Sequence, residues 1–218
     1  MDNYLPGFLR NNRFLLYPVF YYWYKGKNVG YYMNFKSIAK NISEKEFADA
    51  YRNLDCVAND RETDLNTGCK DFMMENIDKE AVSILDVGCG RGYWLNIVSE
   101  KTQLEITGCD LYDSVKLKRG NYVKGNIENL PFEDKSFDIV TSHHTIEHVL
   151  NPEKAVSELK RVAKKQLMIV TPCQKYFKYT FDLHLNFFPD KESLVSLVNM
   201  QDYICKNISG DWVFIGKK

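Results

Sequence analysis

The sequence predicts an α/β fold with a doubly wound, mainly parallel sheet, and three observations support this prediction. Short apolar runs rich in β-branched residues alternate with helical patterns from residue 83 onwards, which is typical of parallel sheets. A glycine-rich turn at 88–92 follows the first of these runs. The last two runs flank Ser209-Gly210-Asp211, and this spacing predicts a C-terminal antiparallel hairpin.

Five strands and a hairpin are predicted along the second half of the chain. The strands are expected near residues 83–87, 104–109, 121–124, 137–142 and 166–171, and the hairpin at 203–207 and 212–215. Residues 111–120 alone separate the second strand from the third, whereas a parallel crossover usually needs about a dozen residues or more. We therefore expect the helix of this crossover to be short or missing.

Five helices are predicted from capping signals and apolar periodicity. They are expected over residues 43–57, 69–77, 93–101, 152–165 and 190–198. Ser43 and Glu46 match a capping box, and Asn151 followed by Pro152 is a typical helix start. The basic residues at 161–165 are expected to lie at the C-terminus of the fourth helix, where cations are favourable.

The first 80 residues differ from the rest because aromatic side chains crowd their first half. Eleven aromatic residues fall between Phe8 and Phe35, interleaved with arginines and lysines. We predict an aromatic-rich helical lid over residues 1–80, packed on a main domain formed by residues 81–218. A membrane-surface patch, a partner-binding patch and a homodimer contact are the alternatives for these aromatic residues.

Composition and charge disfavour several classes of protein. The chain has 218 residues, enough for one sizeable core, and 29 basic against 29 acidic residues, so no net charge attracts nucleic acid. Six cysteines without C-x-x-C spacing predict a reduced, cytoplasmic protein without a cysteine zinc site. The richest apolar run, 14–24, contains Pro18 and is shorter than the roughly 20 residues that span a bilayer. We therefore expect no transmembrane segment.

The glycine-rich turn is the main candidate for a nucleotide-sized binding site. Gly88, Gly90 and Gly92 follow a buried strand and precede a helix, an arrangement in which backbone N–H groups are open to a ligand. Tyr93 stands where the dinucleotide fingerprint would have its third glycine, so NAD is disfavoured. Asp110 ends the second apolar run, where an acid can accept hydrogen bonds from ribose hydroxyls.

Three motifs follow one another along the second half of the chain. They are ILDVGCGRG at 84–92, the Cys109-Asp110 pair, and NIENLPFEDKSFDIV at 126–140. Together with the Glu147-His148 pair they resemble the class I S-adenosylmethionine-dependent methyltransferases, within the large group that acts on small molecules. The resemblance covers residues 83–172, and it implies a Rossmann-like fold with S-adenosyl-L-methionine as the cofactor.

The resemblance also implies which residues bind the cofactor. Asp110 would hold the ribose, the turn at 88–92 the methionine end, and residues 126–128 the adenine. The residues implied are Asp86, Gly88, Cys89, Gly90, Gly92, Asp110, Leu111, Asn126, Ile127, Glu128 and His143. The family commonly has aspartate where this chain has Asn126, and an asparagine can accept from the adenine amino group through its carbonyl oxygen.

A lid over the cofactor is a further implication of the resemblance. In similar methyltransferases the N-terminal region closes over the methionine end of the cofactor. Tyr51, Arg61 and Asp64 are therefore candidate lid contacts, although solvated loop charges are commoner than binding ones.

The acceptor side contains all four histidines of the chain, beside one glutamate. If a helix starts near His144, then His144, Glu147 and His148 share one face of it. His184 would approach from the loop after the fifth strand. Imidazole and carboxylate groups bind transition metals, so a divalent metal, with manganese preferred, is a candidate cofactor at His144, Glu147, His148 and His184.

This set resembles the metal-dependent methyltransferases that modify the 3′-terminal ribose of small RNAs. Those enzymes have a glutamate where this chain has His144. The H-x-x-E-H order of inverted zinc peptidases is rejected here, because a methyltransferase-like strand precedes it. The alternative is metal-free: a Glu-His pair at this place positions loops or acts as a base in many relatives.

Three functions are compatible with these patterns. The first is O-methylation of a small polar acceptor, such as a sugar or a phosphorylated or phosphoramidate precursor of a capsule or other surface polysaccharide. The second is metal-dependent 2′-O-methylation of RNA ribose. The third is a non-catalytic protein that binds S-adenosylmethionine for a partner. The candidate catalytic residues are His143 and His144 as general bases and His148 as a metal ligand.

Overall fold

A seven-stranded sheet forms the centre of the computed structural model, which describes residues 6–55, 62–111 and 115–218. The strand order is β3-β2-β1-β4-β5-β7-β6. The strands are β1 Ser83–Val87, β2 Glu105–Asp110, β3 Asn121–Lys124, β4 Phe137–His143, β5 Ala163–Pro172, β6 Asp202–Ile208 and β7 Asp211–Lys217. The predicted fold class is confirmed.

The first five strands are parallel, and the last two add an antiparallel pair. Strand β1 lies between β2 and β4, with Ile84 opposite Ile106 and Ile139. Strands β5 and β7 are antiparallel, as are β6 and β7, which confirms the predicted hairpin. Strands β1 and β4 are buried almost throughout because helices cover both faces of the sheet, which explains their continuous apolar sequence.

Nine α-helices are found in the part of the chain that the structure describes. They are α1 Gly7–Arg10, α2 Arg13–Trp23, α3 Val29–Met33, α4 Phe35–Ile38, α5 Glu44–Arg52, α6 Thr67–Glu75, α7 Tyr93–Lys101, α8 Pro152–Val162 and α9 Lys191–Val198. Helices α6 and α7 cover one face of the sheet, and α8 and α9 cover the other.

Two predicted helix ends differ from the structure by three residues or more. The helix expected to reach Lys165 ends at Val162, because Ala163 begins β5 and the chain becomes extended there. Lys164 and Lys165 therefore lie on a strand, where their Nζ atoms are 3.8 and 3.5 Å from the carboxylate of Asp138. Helix α5 has the predicted capping box but ends at Arg52; residue 57, its predicted end, lies outside the described residues.

The crossover between β2 and β3 contains no helix in its described part, residues 115–120. Arg119 instead donates hydrogen bonds to the main-chain oxygens of Leu104 and Thr102, at 2.9 and 3.0 Å. The short connection therefore packs against the end of α7 and the start of β2, as the small number of residues requires.

Helices α1–α5 form a second layer, which we name the aromatic cap (residues 6–55). Half of the residues in its buried core are aromatic, and the core includes Tyr179 and Leu183 from the connection between β5 and α9. Phe20 lies 4.4 Å, centroid to centroid, from Phe181 of that connection, and the Tyr24 hydroxyl donates to the Phe181 main-chain oxygen at 2.6 Å. The cap thus packs on the 173–190 connection. None of the described helices is long and apolar enough to cross a membrane.

Candidate active site

The glycine-rich turn links β1 to α7 at the carboxyl end of the sheet. Gly88, Gly90 and Gly92 have φ values of +74°, +53° and +83°, a backbone region that side chains other than glycine rarely adopt. At Gly88 a Cβ atom would lie 2.2 Å from Thr145 Oγ1. This position therefore accepts only glycine unless the chain after β4 moves.

Asp110 holds the glycine-rich turn at the end of β2. Its Oδ2 atom accepts a hydrogen bond from the Gly90 N–H at 2.8 Å. The N–H groups of Gly88 and Cys89 donate to the Cys109 main-chain oxygen at 2.8 and 3.2 Å. The turn and the candidate ribose acid are therefore in direct contact, as the spacing of the two strands predicts.

Two cavities border this turn. A cleft of about 670 Å³ is lined by six of the residues implied to bind the cofactor, namely Gly88, Asp110, Leu111, Asn126, Ile127 and Glu128. A smaller cavity of about 280 Å³ is lined by Gly88 again and by Cys89, Gly90 and His143. His144 lines both cavities, so the two spaces meet beside Gly88 and His144.

Asn126 already has partners within the chain. Its Oδ1 atom accepts from the Glu128 N–H at 2.9 Å, and its Nδ2 donates to Glu44 Oε1 at 2.6 Å. Glu128 Oε1 accepts in turn from the N–H groups of Leu150 and Asn151. The Asn126 oxygen implied for adenine therefore helps to shape the loop that lines the cleft.

Asp86 and His143 form a buried pair under the turn. Asp86 Oδ1 accepts from Thr141 Oγ1 at 2.7 Å, and its Oδ2 lies 3.2 Å from His143 Nε2. Asp86 is fully buried. Asp86 and Gly92 are the two residues implied to bind the cofactor that line neither cavity. Asp86 is thus placed to orient His143, which reaches the smaller cavity.

The helix predicted to begin near His144 does not form. His144 has φ +50°, and the next residues make a single turn in which the His148 N–H donates to the Thr145 oxygen at 3.0 Å. The left-handed residue turns the chain sharply after β4, which prevents a helix from starting there. His144, Glu147 and His148 therefore do not share one helix face.

His144 lies between two carboxylates instead. Its Nδ1 atom is 3.4 Å from Glu147 Oε1, and its Nε2 atom is 3.5 Å from Asp211 Oδ2. Burial alone would lower the pKa of His144, but its contacts with Asp211 and Glu147 outweigh burial and raise the pKa to about 10. Contacts with two carboxylates favour the protonated form of the imidazole. His144 is not one of the described residues whose donor atoms gather in the neighbouring cluster of Glu147, His148 and His184.

The side chains of Glu147, His148 and His184 form a cluster that does not include His144. One donor atom from each lies within 4.8 Å of the others. Glu147 Oε1 and His148 Nδ1 are buried and make no hydrogen bond to any residue that the structure describes. Glu147 and His184 are almost fully buried. Buried polar atoms without hydrogen bonds are rare in proteins, and these three donor groups lie close enough together that they could hold an ion.

The protonation of the cluster suits a divalent metal. Burial opposes ionisation of Glu147, yet its contact with His144 and the charges of the histidines lower its pKa to about 2. Burial lowers the pKa of His184 to about 3 and also lowers that of His148. One carboxylate and two neutral imidazoles are an ordinary donor set for a transition metal.

Further contacts fix the cluster from behind. His184 Nδ1 lies 2.6 Å from Gln174 Oε1, and Thr171 Oγ1 donates to Glu147 Oε2 at 3.3 Å. The main-chain oxygen of Glu147 accepts from the Leu185 and Asn186 N–H groups at 2.7 and 2.9 Å. Such outer contacts orient ligating side chains in metal sites.

The candidate lid contacts have different outcomes. The Tyr51 hydroxyl donates to the Leu183 main-chain oxygen at 3.0 Å, and its ring lies 5.4 Å from that of His148. Tyr51 also lines the large cleft. Asp64 lines the smaller cavity, whereas Arg61 lies outside the described residues.

Sequence reasoning did not identify Asp211, Gln174 and Thr145. Asp211 was expected only as a turn residue of the hairpin, and it reaches His144 because β7 pairs with β5 at Pro172. Gln174 and Thr145 lie in irregular segments that carry no periodic pattern. The hairpin prediction named Asp211 as a turn residue but did not say which strand the hairpin pairs with, so it gave no signal for this contact.

Comparisons with known proteins identify relatives of this chain. Residues 85–170 match the family model described as a methyltransferase domain. The chain is 30% identical over 160 residues to a ubiquinone/menaquinone biosynthesis C-methyltransferase of Campylobacter jejuni, covering 64% of this chain and 67% of that protein. It is 30% identical over 105 residues to ajmaline N-methyltransferase of Rauvolfia serpentina, covering 43% of this chain and 36% of that protein.

A solved structure supports the fold. A SAM-dependent methyltransferase from Thermotoga maritima superposes with a TM-score of 0.54 at 20% identity, over 69% of this chain and 88% of that chain. At this identity the likeness concerns the fold alone. The chain spans only part of the length of its relatives. The matched region covers between 36% and 67% of four curated methyltransferases, which include the two relatives above.

Proposed function

This chain belongs to the class I S-adenosylmethionine-dependent methyltransferases, and from this premise we propose that it methylates an oxygen of a small polar acceptor. The acceptor class is a sugar or a phosphorylated or phosphoramidate precursor of a surface polysaccharide. The relatives leave the accepted atom open, because their names describe carbon methylation in one and nitrogen methylation in another. The observation that favours oxygen is the buried cluster of Glu147, His148 and His184.

Methyl transfer from a sulfonium is an in-line displacement, so the protein mainly aligns the reacting atoms. When bound, S-adenosylmethionine supplies both the methyl group and its leaving group. Gly88 and Asp110 border the large cleft and would hold it there. The two cavities meet beside Gly88 and His144. His148 is the cluster residue that lines the large cleft, so the proposed acceptor position is the part of the cleft beside His148.

A hydroxyl acceptor must lose its proton during this transfer. A divalent metal, with manganese preferred, would be held by Glu147, His148 and His184, and when bound it would lower the pKa of an acceptor oxygen. Thr171 and Gln174 hold Glu147 and His184 in orientation. In a version without metal, His143 is the remaining base candidate, since Asp86 lies 3.2 Å from its Nε2.

Manganese binding tests the cluster directly. Protein freed of metal by chelation is titrated with Mn²⁺ by calorimetry, as the untagged wild type and as the His148→Ala, His184→Ala double variant. We expect about one ion per chain in the wild type and none in the variant, because two of three ligands are gone. His143→Gln, a variant that loses a histidine outside the cluster, should bind Mn²⁺ like the wild type.

A second variant that keeps all three ligands controls for misfolding of the double variant. Gln174→Ala keeps all three ligands but removes the contact at His184 Nδ1, and we expect a roughly 10- to 100-fold weaker Mn²⁺ affinity. Equal binding by all variants would show that the cluster holds no metal. In that case the accepted atom could be nitrogen as well as oxygen.

The acceptor is tested with labelled S-adenosylmethionine. Label should pass to sugar nucleotides or phosphoramidates, with loss of transfer after chelation. The same cluster also fits the second function, 2′-O-methylation of RNA ribose, which the balance of 29 basic and 29 acidic residues disfavours. Labelled RNA together with strongly salt-dependent RNA binding would replace our proposal with that one. Cofactor binding without transfer to any acceptor would favour a non-catalytic partner protein.

A further inference from the structure

Helix α2 exposes an apolar face that the fold does not cover. Leu16 and Phe20 point inward and are buried, whereas Phe14 is 89% exposed and Tyr22 74% exposed. We name the exposed side the outer face of α2; it consists of Phe14, Leu15, Pro18, Tyr21 and Tyr22. Helices that are apolar all round are normally buried, so half of this helix lacks the polar side expected of a surface helix.

The exposed apolar residues are concentrated in this part of the molecule. Among the described residues, twelve large hydrophobic side chains are exposed, and eight of them lie between Phe8 and Tyr31. Scattered exposed apolar residues need no explanation, but a contiguous patch marks an interaction surface. The outer face of α2 is therefore a candidate docking surface.

Charge identifies the kind of partner. Residues 6–42 contain six lysines and arginines and no aspartate or glutamate, although the whole chain has zero net charge. Arg13 starts α2, and Lys25 and Lys27 follow its end, so cations stand at both ends of the outer face. Lys25 and Lys27 share one carboxylate, that of Asp55, at 2.7 Å each, which leaves an excess of positive charge.

We propose that the outer face of α2 docks on an anionic membrane surface. Aromatic side chains favour the boundary between lipid and water, and nearby cations are attracted to anionic headgroups. A second copy of the chain would bring the cations at the two ends of its own α2 to the same face, and like charges oppose such an association. The proposal does not depend on the identity of the methyl acceptor.

The docking surface lies close to the candidate site. Trp23 and Phe20, from α2, contact Phe181 with ring centroids 5.4 and 4.4 Å apart. His184 of the candidate cluster follows Phe181 by three residues in the same connection. In a docked chain, only α2 and the 173–190 connection would lie between the lipid and the acceptor side of the cleft. Acceptors presented at a membrane would then lie close to the cleft.

Vesicle binding tests the proposal with the full chain. Cosedimentation is measured with phosphatidylcholine vesicles and with vesicles that also contain phosphatidylglycerol. We expect binding to the anionic vesicles, weakened by salt and by Arg13→Gln with Lys27→Gln, at roughly fivefold per cation. Phe14→Ser with Tyr22→Ser should weaken binding by at least about tenfold.

Matched controls separate the outer face from general hydrophobicity. Val82→Ser with Ile204→Ser removes two exposed apolar side chains elsewhere and should leave vesicle binding unchanged. The proposal is overturned if anionic vesicles are not bound at low salt, or if Phe14→Ser with Tyr22→Ser binds like the wild type. It is also overturned if the chain is a dimer without lipid and this double variant is a monomer, since the face would then join two copies.

Discussion

The sheet and the aromatic cap bury their side chains in different ways. The sheet buries aliphatic strands between helices on both faces, as in β1 and β4. The cap buries aromatic rings from five short helices, and its core is completed by Tyr179 and Leu183 of the 173–190 connection. The sheet is covered on both sides, whereas α2 of the cap is covered on one side only.

This difference shows where the candidate function lies. The sheet supplies the glycine-rich turn and Asp110, and Glu44, Phe47 and Tyr51 of the cap also line the large cleft. The acceptor side belongs to the junction, because His184 lies in the connection on which the cap packs and Tyr51 of the cap bonds to Leu183. The cap and the 173–190 connection therefore meet beside the cluster.

The largest expected effect separates the two sides of α2. Phe20→Ala should lower the free energy of unfolding by about 4 kcal/mol, because the ring is fully buried against Tyr24, Tyr179 and Phe181. Phe14→Ala, on the same helix but 89% exposed, should change it by less than about 0.5 kcal/mol. Urea unfolding followed by near-UV and far-UV circular dichroism measures both.

The shape of the transition sharpens the comparison. A single transition at both wavelengths in Phe20→Ala would mean that cap and sheet unfold together. An early near-UV transition would mean that the cap unfolds first and that the sheet is stable without it. A loss below about 1 kcal/mol would contradict the buried position of Phe20.

A smaller effect is expected at the glycine-rich turn of the sheet. Gly88→Ala should cost about 3 kcal/mol, since the residue has φ +74° and the new Cβ atom would lie 2.2 Å from Thr145 Oγ1. Gly90→Ala is the matched control, because its φ is +53° and no atom of the described residues lies within 4 Å of the new Cβ. It should cost about 1 kcal/mol, from backbone strain alone. Equal losses would show that the chain after β4 moves freely away from Gly88.

Much of the sheet could be predicted because its signals are local. Strand β1, the glycine-rich turn and α7 follow from alternating periodicities and a breaker within about twenty residues. The same reasoning placed Asp110 beside the turn, since the carboxyl ends of parallel strands meet at one edge. The end of α8 was misplaced because Lys164 and Lys165 suit a helix C-terminus as well as a strand end.

The candidate cluster was predicted only in part, for a physical reason. His184 was expected to approach because it follows the fifth strand, and the structure brings it to Glu147 and His148. His144 was expected to share a helix face with Glu147 and His148, which requires a helix to start near it. The helix does not form, because His144 itself has a left-handed backbone conformation. Its partner Asp211 lies 67 positions away along the chain, a contact made by the β5–β7 pairing that no local pattern contains.

The smallest expected effect tests the junction itself. Tyr51→Phe keeps the ring contacts with Phe35, Phe47 and His148 but removes the hydrogen bond to the Leu183 oxygen at 3.0 Å. We expect a loss of about 1 kcal/mol in the free energy of unfolding. Mn²⁺ affinity should also fall by roughly threefold, because the segment that carries His184 loses one of its attachments.

Tyr31→Phe is the matched control, since Tyr31 belongs to the same cap and is 36% exposed. Its stability and Mn²⁺ affinity should equal those of the wild type. A Tyr51→Phe variant that loses stability but keeps full Mn²⁺ affinity would show that the cap supports the fold and leaves the cluster alone. A fall in both would mean that the cap helps to build the acceptor side, because the hydroxyl bonds the main-chain oxygens of Leu183 and His148 and none of the cluster's donor atoms.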